Sequence, residues 1–165
     1  GLELSGSYLL DTLVPDWARG FRVVVSGTRS TQTGGGIMAV QFAAQNLYIV
    51  PYTAGLGVSL TRNRFTVSIN SKATSKTRLQ YLDYSTSSSP TYEPNEFMYR
   101  RGAIRMDMDV SFHATKNVSL FINGRDITGY EPTELRYSPN TPSIAKNYHR
   151  AIYQPVWTTG VKATF

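Results

Sequence analysis

Along most of this chain, apolar and polar residues alternate with a period of two. In the last ten residues, Trp157, Thr159, Val161, Ala163 and Phe165 share one parity, while Val156, Thr158, Gly160, Lys162 and Thr164 share the other. Successive side chains of a strand point to opposite faces of the sheet. The segment therefore predicts a strand with an apolar face framed by two aromatics and a small, polar, basic opposite face. The same alternation predicts strands over 1–10, 21–33, 52–60, 64–78, 104–113 and 118–128. The cleanest sets Met106, Met108, Val110 and Phe112 against Arg105, Asp107, Asp109, Ser111 and His113.

The connections alternate too. Residues 11–20, with Pro15 and Gly20, read as a turn, and 61–63 and 114–117 as tight turns. The stretches from Gly34 to Pro51, from Leu79 to Arg101 and from Gly129 to Pro155 read as long loops, all at the opposite end of the strands. No helical period organises the chain. The expectation is an all-β, antiparallel meander of about seven strands. Short turns at one end and long loops at the other are the layout of a transmembrane β-barrel, with short periplasmic turns and long extracellular loops. Two other architectures use the same strands. A soluble ligand- or carbohydrate-binding sandwich would bury Phe21, Phe65, Phe112 and Phe165 as one cluster. A complete small porin-like barrel would need an even strand count and an N-terminal strand paired with 156–165.

The aromatics favour the barrel segment. Phe21 and Phe65 open strands and Phe112 and Phe165 close them at the short-turn end, all on the apolar parity. Tyr52 and Trp157 open strands at the long-loop end. Two rims of this kind are the aromatic girdles of a membrane barrel. From Trp157 to Phe165 an extended strand covers roughly 26 Å. A tilt of around 40° reduces this to about 20 Å of height, close to the apolar band of such a barrel.

Composition narrows the chemistry. The 165 residues contain no cysteine, which excludes a disulfide scaffold, a thiolate metal site and a cysteine nucleophile. No apolar run approaches the ~18 residues of a transmembrane helix, which leaves a strand-built barrel open. The net charge of +6 comes from scattered residues with no basic block, so no nucleic-acid partner is expected.

On the polar parity lie Arg22, Asn70, Lys72, Arg105, Asp107, Asp109, His113, Arg125 and Lys162. Asp107 and Asp109, about 6.5–7 Å apart on one strand face, have a spacing that could serve glycoside chemistry. Arg105 beside them and Arg125 on the next strand instead predict a lumenal salt-bridge network. His113 has no second histidine or cysteine near it, and Gly34-Gly35-Gly36 lacks the Lys-Ser/Thr of a phosphate loop. Neither a catalytic centre nor a cofactor or metal is expected. The long loops are rich in tyrosine: Tyr84, Tyr92, Tyr130 and Tyr137 are candidate ligand contacts, because the ring offers flat amphipathic surface.

The run Arg105-Met106-Asp107-Met108-Asp109-Val110-Ser111-Phe112, the turn Thr115-Lys116-Asn117, the run from Val118 to Thr128 and a last strand ending on Phe165 together resemble the C-terminal barrel strands of TonB-dependent outer-membrane receptors. The hairpin from Tyr52 to Ile69 fits the same pattern. The resemblance implies a 22-stranded barrel with a plugged lumen, of which residues 1–165 would be a C-terminal portion lacking the N-terminal plug. It implies a transporter in the bacterial outer membrane, in contact with its lipid. The imported solute would be scarce, such as a metal chelate, a vitamin or a glycan. The energy-transducing TonB complex would act through the plug. The terminal strand, with Trp157, Val161 and Phe165 facing lipid, resembles the signal read by the barrel-assembly machinery.

Overall fold

The structure, a computed structural model, describes residues 1–11, 14–16, 19–31, 49–81, 97–138 and 140–164, with Gln80 and Tyr81 described by backbone alone. The described strands are β1 (Leu2–Leu10), β2 (Phe21–Arg29), β3 (Tyr52–Arg62), β4 (Phe65–Thr74), β5 (Thr77–Tyr81) and β6 (Phe97–Arg100). They continue with β7 (Ala103–His113), β8 (Val118–Arg125), β9 (Thr133–Tyr137), β10 (Asn147–Arg150) and β11 (Val156–Ala163). A single turn of 3-10 helix, Ser143–Ala145, lies between β9 and β10.

Seven of these strands form one antiparallel meander in the order β1-β2-β3-β4-β7-β8-β11. All six pairings run without a register shift. The strands β1 and β11 are the two edges and do not pair with each other, so the described sheet is open. The expected all-β, antiparallel meander of about seven strands is therefore present.

The short-turn end is built by local polar chemistry. Arg62 pairs with Phe65 across the two-residue turn Asn63–Arg64. This places the turn one or two positions later than 61–63. Asn63 takes φ 53°, a left-handed conformation that asparagine tolerates better than most residues. Between β7 and β8, the Thr115 hydroxyl accepts hydrogen bonds from the backbone N–H groups of Asn117 and Val118, at 3.2 and 3.0 Å. The Thr164 N–H donates to the Asn117 carbonyl at 2.9 Å, which ties the end of β11 to this turn.

Two of the stretches expected to be long loops, 79–101 and 129–155, contain strands instead. β5, β6, β9 and β10 make a second, four-stranded sheet in the order β10-β9-β6-β5. It prolongs the central strands past a short break: Ser75 and Lys76 separate β4 from β5, and Arg101 and Gly102 separate β6 from β7. Its ladders are irregular, with register shifts between Arg78 and Gln80 and between Asn147 and His149. Extra residues of this kind locally bend and twist a strand. The third long loop, after β2, lies mostly outside the described residues.

Register sorts the side chains of the seven-stranded sheet into two faces. Leu4, Val23, Val25, Leu56, Val58, Val67, Ile69, Met108, Val110, Leu120, Ile122 and Val161 share one face, through pairs such as Val67↔Val110 and Leu120↔Val161. Ser26, Ser59, Ser68, Asn70, Lys72, Arg105, Asp107, Asp109 and Asn123 share the other. No second layer covers the apolar face among the described residues: Leu4 is 77% exposed and Val161 65%. Among the described residues the only buried hydrophobic side chains are Phe97 and Tyr130, and both belong to the smaller sheet and its connections. A sandwich core is absent here. Phe65 and Phe112 touch, with ring centroids 4.6 Å apart, yet Phe65 remains 55% exposed.

A basic cavity on the polar face

The rims fall where the alternation puts them. Phe65 and Phe112 are register partners beside the short turns, and Phe21 lies opposite Leu60 at the same end. Tyr52 marks the other end, with the Arg29 guanidinium 5.8 Å from its ring centroid. Its backbone exchanges hydrogen bonds with Ser75, whose N–H donates to the Tyr52 carbonyl at 3.0 Å. Ser75, just past the end of β4, is ten positions from Phe65, about 33 Å of extended strand, which at the tilt of about 40° usual in membrane barrels would be about 25 Å of height. Trp157 and Val161 share the apolar face of β11. Phe165 lies outside the described residues, as do Tyr84 and Tyr92.

Two glycines shape the β8–β11 ladder. On the apolar face Trp157 lies opposite Gly124, and a Cβ on Gly124 would sit 2.7 Å from the indole ring. On the polar face Phe121 lies opposite Gly160, where a Cβ would sit 2.7 Å from Phe121 Cζ. Each aromatic ring thus lies across a strand position that only a missing side chain leaves open.

The four residues expected to form a salt-bridge network divide their bonds differently. The Arg105 guanidinium lies 3.9 Å from the Tyr130 ring centroid, and its Nε is 3.9 Å from Asp126 Oδ1. Asp107 Oδ1 accepts the backbone N–H of Asp126 at 3.0 Å. Asp126 itself takes φ 50°, which turns the chain out of the β8 ladder. Asp109 Oδ2 accepts the Ser68 hydroxyl at 3.4 Å. Turned so that its nitrogen faces Asp109, the Asn123 amide donates to Asp109 Oδ1 at 3.2 Å. Arg125 is exposed and makes no ion pair with Asp107 or Asp109. The carboxylates are thus hydrogen-bond acceptors that fix the chain's exit from β8 and link β4, β7 and β8. An Arg–Asp ladder does not form, because the chain turns away at Asp126 and brings that carboxylate to Arg105 instead.

Above this network the polar face opens into a cavity of about 510 Å³ at the junction of the two sheets. Lys72, Arg100, Arg101 and Arg105 line it, with Thr77 and Tyr130. No carboxylate is among its described lining residues. Arg100 reaches out to Glu134 at 3.3 Å, and Arg105 to Asp126 as above. Lys72 and Arg101 form no ion pair with any described residue. A concave wall of one sign concentrates field lines on whatever enters it. Of these residues, Lys72 and Arg105 lie on the polar parity of the alternation, and Tyr130 is one of the loop tyrosines expected as ligand contacts. Arg100 and Arg101 fall in a segment that reads as loop, and their only sequence signal is a pair of arginines just before the alternation of β7 resumes.

The smaller sheet is bound by cations and rings. Tyr99 and Tyr137 stack with centroids 4.5 Å apart and 16° between planes. Lys76 Nζ donates to the Tyr137 hydroxyl at 2.6 Å and lies 4.7 Å from the Tyr99 centroid. Lys146 approaches Tyr137 from a further strand connection at 5.1 Å. Tyr130 is buried against Arg105 and stacks on Tyr153 at 6.4 Å. Tyr137 is therefore a packing residue, and Tyr130 is a wall of the cavity. Arg150 grips Glu131 Oε2 through Nε at 3.0 Å and through Nη2.

His113 is exposed at the short-turn end opposite Ser119, and His149 is exposed on β10 opposite Glu134. Among the described residues no group of three or more His, Asp or Glu could hold a metal ion, and no helix is long and apolar enough to cross a membrane. Comparison of the chain with models of known protein families, with curated proteins and with solved structures finds no match.

Proposed function

We propose that residues 1–165 form part of the barrel wall of a bacterial outer-membrane receptor of the TonB-dependent type. The protein would take up a scarce small solute and would not act as an enzyme. One observation carries this reading: a predominantly apolar face spans all seven strands of the larger sheet, is not covered by any described layer, and is bordered by aromatics at both ends. In water such a face is far larger than a soluble monomer ordinarily leaves uncovered. In a bilayer it is the lipid-contacting surface, and the polar face opposite it becomes the lumen. The distance of about 25 Å between rims agrees with the apolar band of such barrels.

The described sheet is open, with β1 and β11 as unpaired edges, which counts against a complete small barrel. On this reading outer-membrane lipid is the surrounding partner and the barrel-assembly machinery inserts the chain. The inner-membrane TonB complex would drive transport through a plug.

The test is detergent dependence. The protein is expected to be recovered with β-structure only in detergent micelles or lipid vesicles. Monodisperse, cooperatively folding protein in plain buffer would sink the membrane reading in favour of a soluble ligand-binding module.

A further inference from the structure

We infer that the cavity bounded by Lys72, Arg100, Arg101 and Arg105 is an anion site, and that the solute it admits is a small molecule bearing carboxylate or phosphate groups. Three observations meet there. Four cations from β4, β6 and β7 and the β6–β7 break line one cavity, while its described lining includes no carboxylate. Two of the four, Lys72 and Arg101, have no acidic partner among the described residues, so their charge is available to a ligand. The volume of about 510 Å³ lies in the range of small-molecule sites and is small for a folded segment.

The arrangement separates holding from binding. Glu134 pairs with Arg100 at 3.3 Å from outside the cavity, and Asp126 lies 3.9 Å from Arg105, beyond hydrogen-bond distance. Arg105 is fixed by the face of the buried Tyr130. Anchored arginines present fixed N–H donors to an oxyanion, and guanidinium matches carboxylate or phosphate oxygens in paired hydrogen bonds. Lys72 and Arg101 supply the remaining positive charge. Thr77, buried beside the cationic residues, donates its hydroxyl to the Ser75 carbonyl at 3.4 Å and so holds the break between β4 and β5 in shape.

That the bound anion is cargo rests on the receptor reading above. The site itself does not, and the experiment keeps the two apart. The purified protein, first assessed for detergent dependence, is titrated calorimetrically with citrate, with inorganic phosphate, with neutral glucose and with an oligoglutamate peptide. Citrate or phosphate is expected to bind with an affinity that falls as salt is added, and glucose is not. The double variant Lys72→Gln/Arg101→Gln is expected to weaken that binding about tenfold, since each is an exposed charge contributing a few-fold. Lys116→Gln, in the β7–β8 turn, is expected to leave it unchanged. Both variants change exposed side chains, and unaltered circular dichroism checks that the sheet is intact. The ratio of citrate to phosphate affinity tells a carboxylate ligand from a phosphate one.

Equal affinity in wild type and double variant overturns the site. So does saturation by oligoglutamate with no binding of either small anion, which would make the cavity a seat for an acidic protein segment. Anion binding by protein that needs no detergent overturns the membrane reading alone. Detergent-dependent protein that binds no anion overturns the anion site alone.

Discussion

The two sheets solve the same problem in opposite ways. The seven-stranded sheet has unbroken register and a wide apolar face with nothing over it. The four-stranded sheet has shifted register, short strands and a narrow aromatic face on which Phe97, Tyr99, Leu135 and Tyr137 meet. Yet among the described residues every buried side chain apart from hydrogen-only Gly124 lies in it or its connections: Thr77, Phe97, Tyr130, Thr133 and Ser138. The smaller sheet encloses its own small core and ties it with cation–ring contacts and tyrosine stacking. The larger sheet relies on its surroundings to satisfy its apolar face. Covering apolar area is the main driving force of folding in water, and under the proposed membrane reading the contrast would reflect lipid around the larger sheet and water around the smaller one.

The contrast is sharpest when one face is charged. Ile122→Arg places a cation at mid-height on the apolar face, opposite Val110 and Thr159. In a bilayer this is expected to cost about 2–4 kcal/mol. Thr158→Arg, on the opposite face of the neighbouring strand, is expected to stay within about 0.5 kcal/mol. Denaturant titration in lipid vesicles measures both. Equal, small costs would mean that water wets both faces, and the comparison would collapse.

A smaller effect is expected in the other sheet. Tyr137→Ala removes the stack on Tyr99 and the acceptor for Lys76. The expected cost is about 1–2 kcal/mol, confined to the smaller sheet. Hydrogen exchange should quicken in β6 and β9 and stay unchanged in β2, β3 and β4. Quickening throughout would show that the sheets unfold together. The smallest of the three effects concerns Gly160→Val, which pushes the Phe121 ring off β11 and is expected to cost about 1 kcal/mol. Pairing it with Phe121→Ala should recover most of that loss in a double-mutant cycle.

The larger sheet was legible because its alternation is strict: Met106, Met108, Val110 and Phe112 against Arg105, Asp107, Asp109 and Ser111 leave little choice of face. The smaller sheet was not. Its strands read Thr-Arg-Leu-Gln-Tyr, Phe-Met-Tyr-Arg, Thr-Glu-Leu-Arg-Tyr and Asn-Tyr-His-Arg; the first three do alternate, but at four or five residues each they are too short to stand out from the polar, tyrosine-rich stretches around them. Their stability comes from partners distant in sequence, such as Lys76 on Tyr137. The break at Ser75–Lys76 also shifts the phase. Thr74 and Thr77 are three apart, which would put them on opposite faces of an unbroken strand, yet both line the cavity. Alternation carried across the breaks would therefore misplace Thr77 and Arg100, while Arg101 keeps the parity of Arg105. Asp126 illustrates the other limit, since a carboxylate one residue beyond Arg125 displaces Asp107 and Asp109 as the partner of Arg105.

The two glycine–aromatic pairs of β8 and β11 have a consequence for how the last strand is set in place. A slip of one residue would exchange its faces. A slip of two would keep the faces but bring Trp157 opposite Ile122 or Asp126 and Phe121 opposite Thr158 or Lys162, and both rings would lose their gaps together. With one ring-and-gap pair on each side of the ladder, β11 works as a two-sided key that seats fully in a single position. A misaligned strand is rejected from both faces at once, which gives the growing sheet a means of proofreading its final pairing.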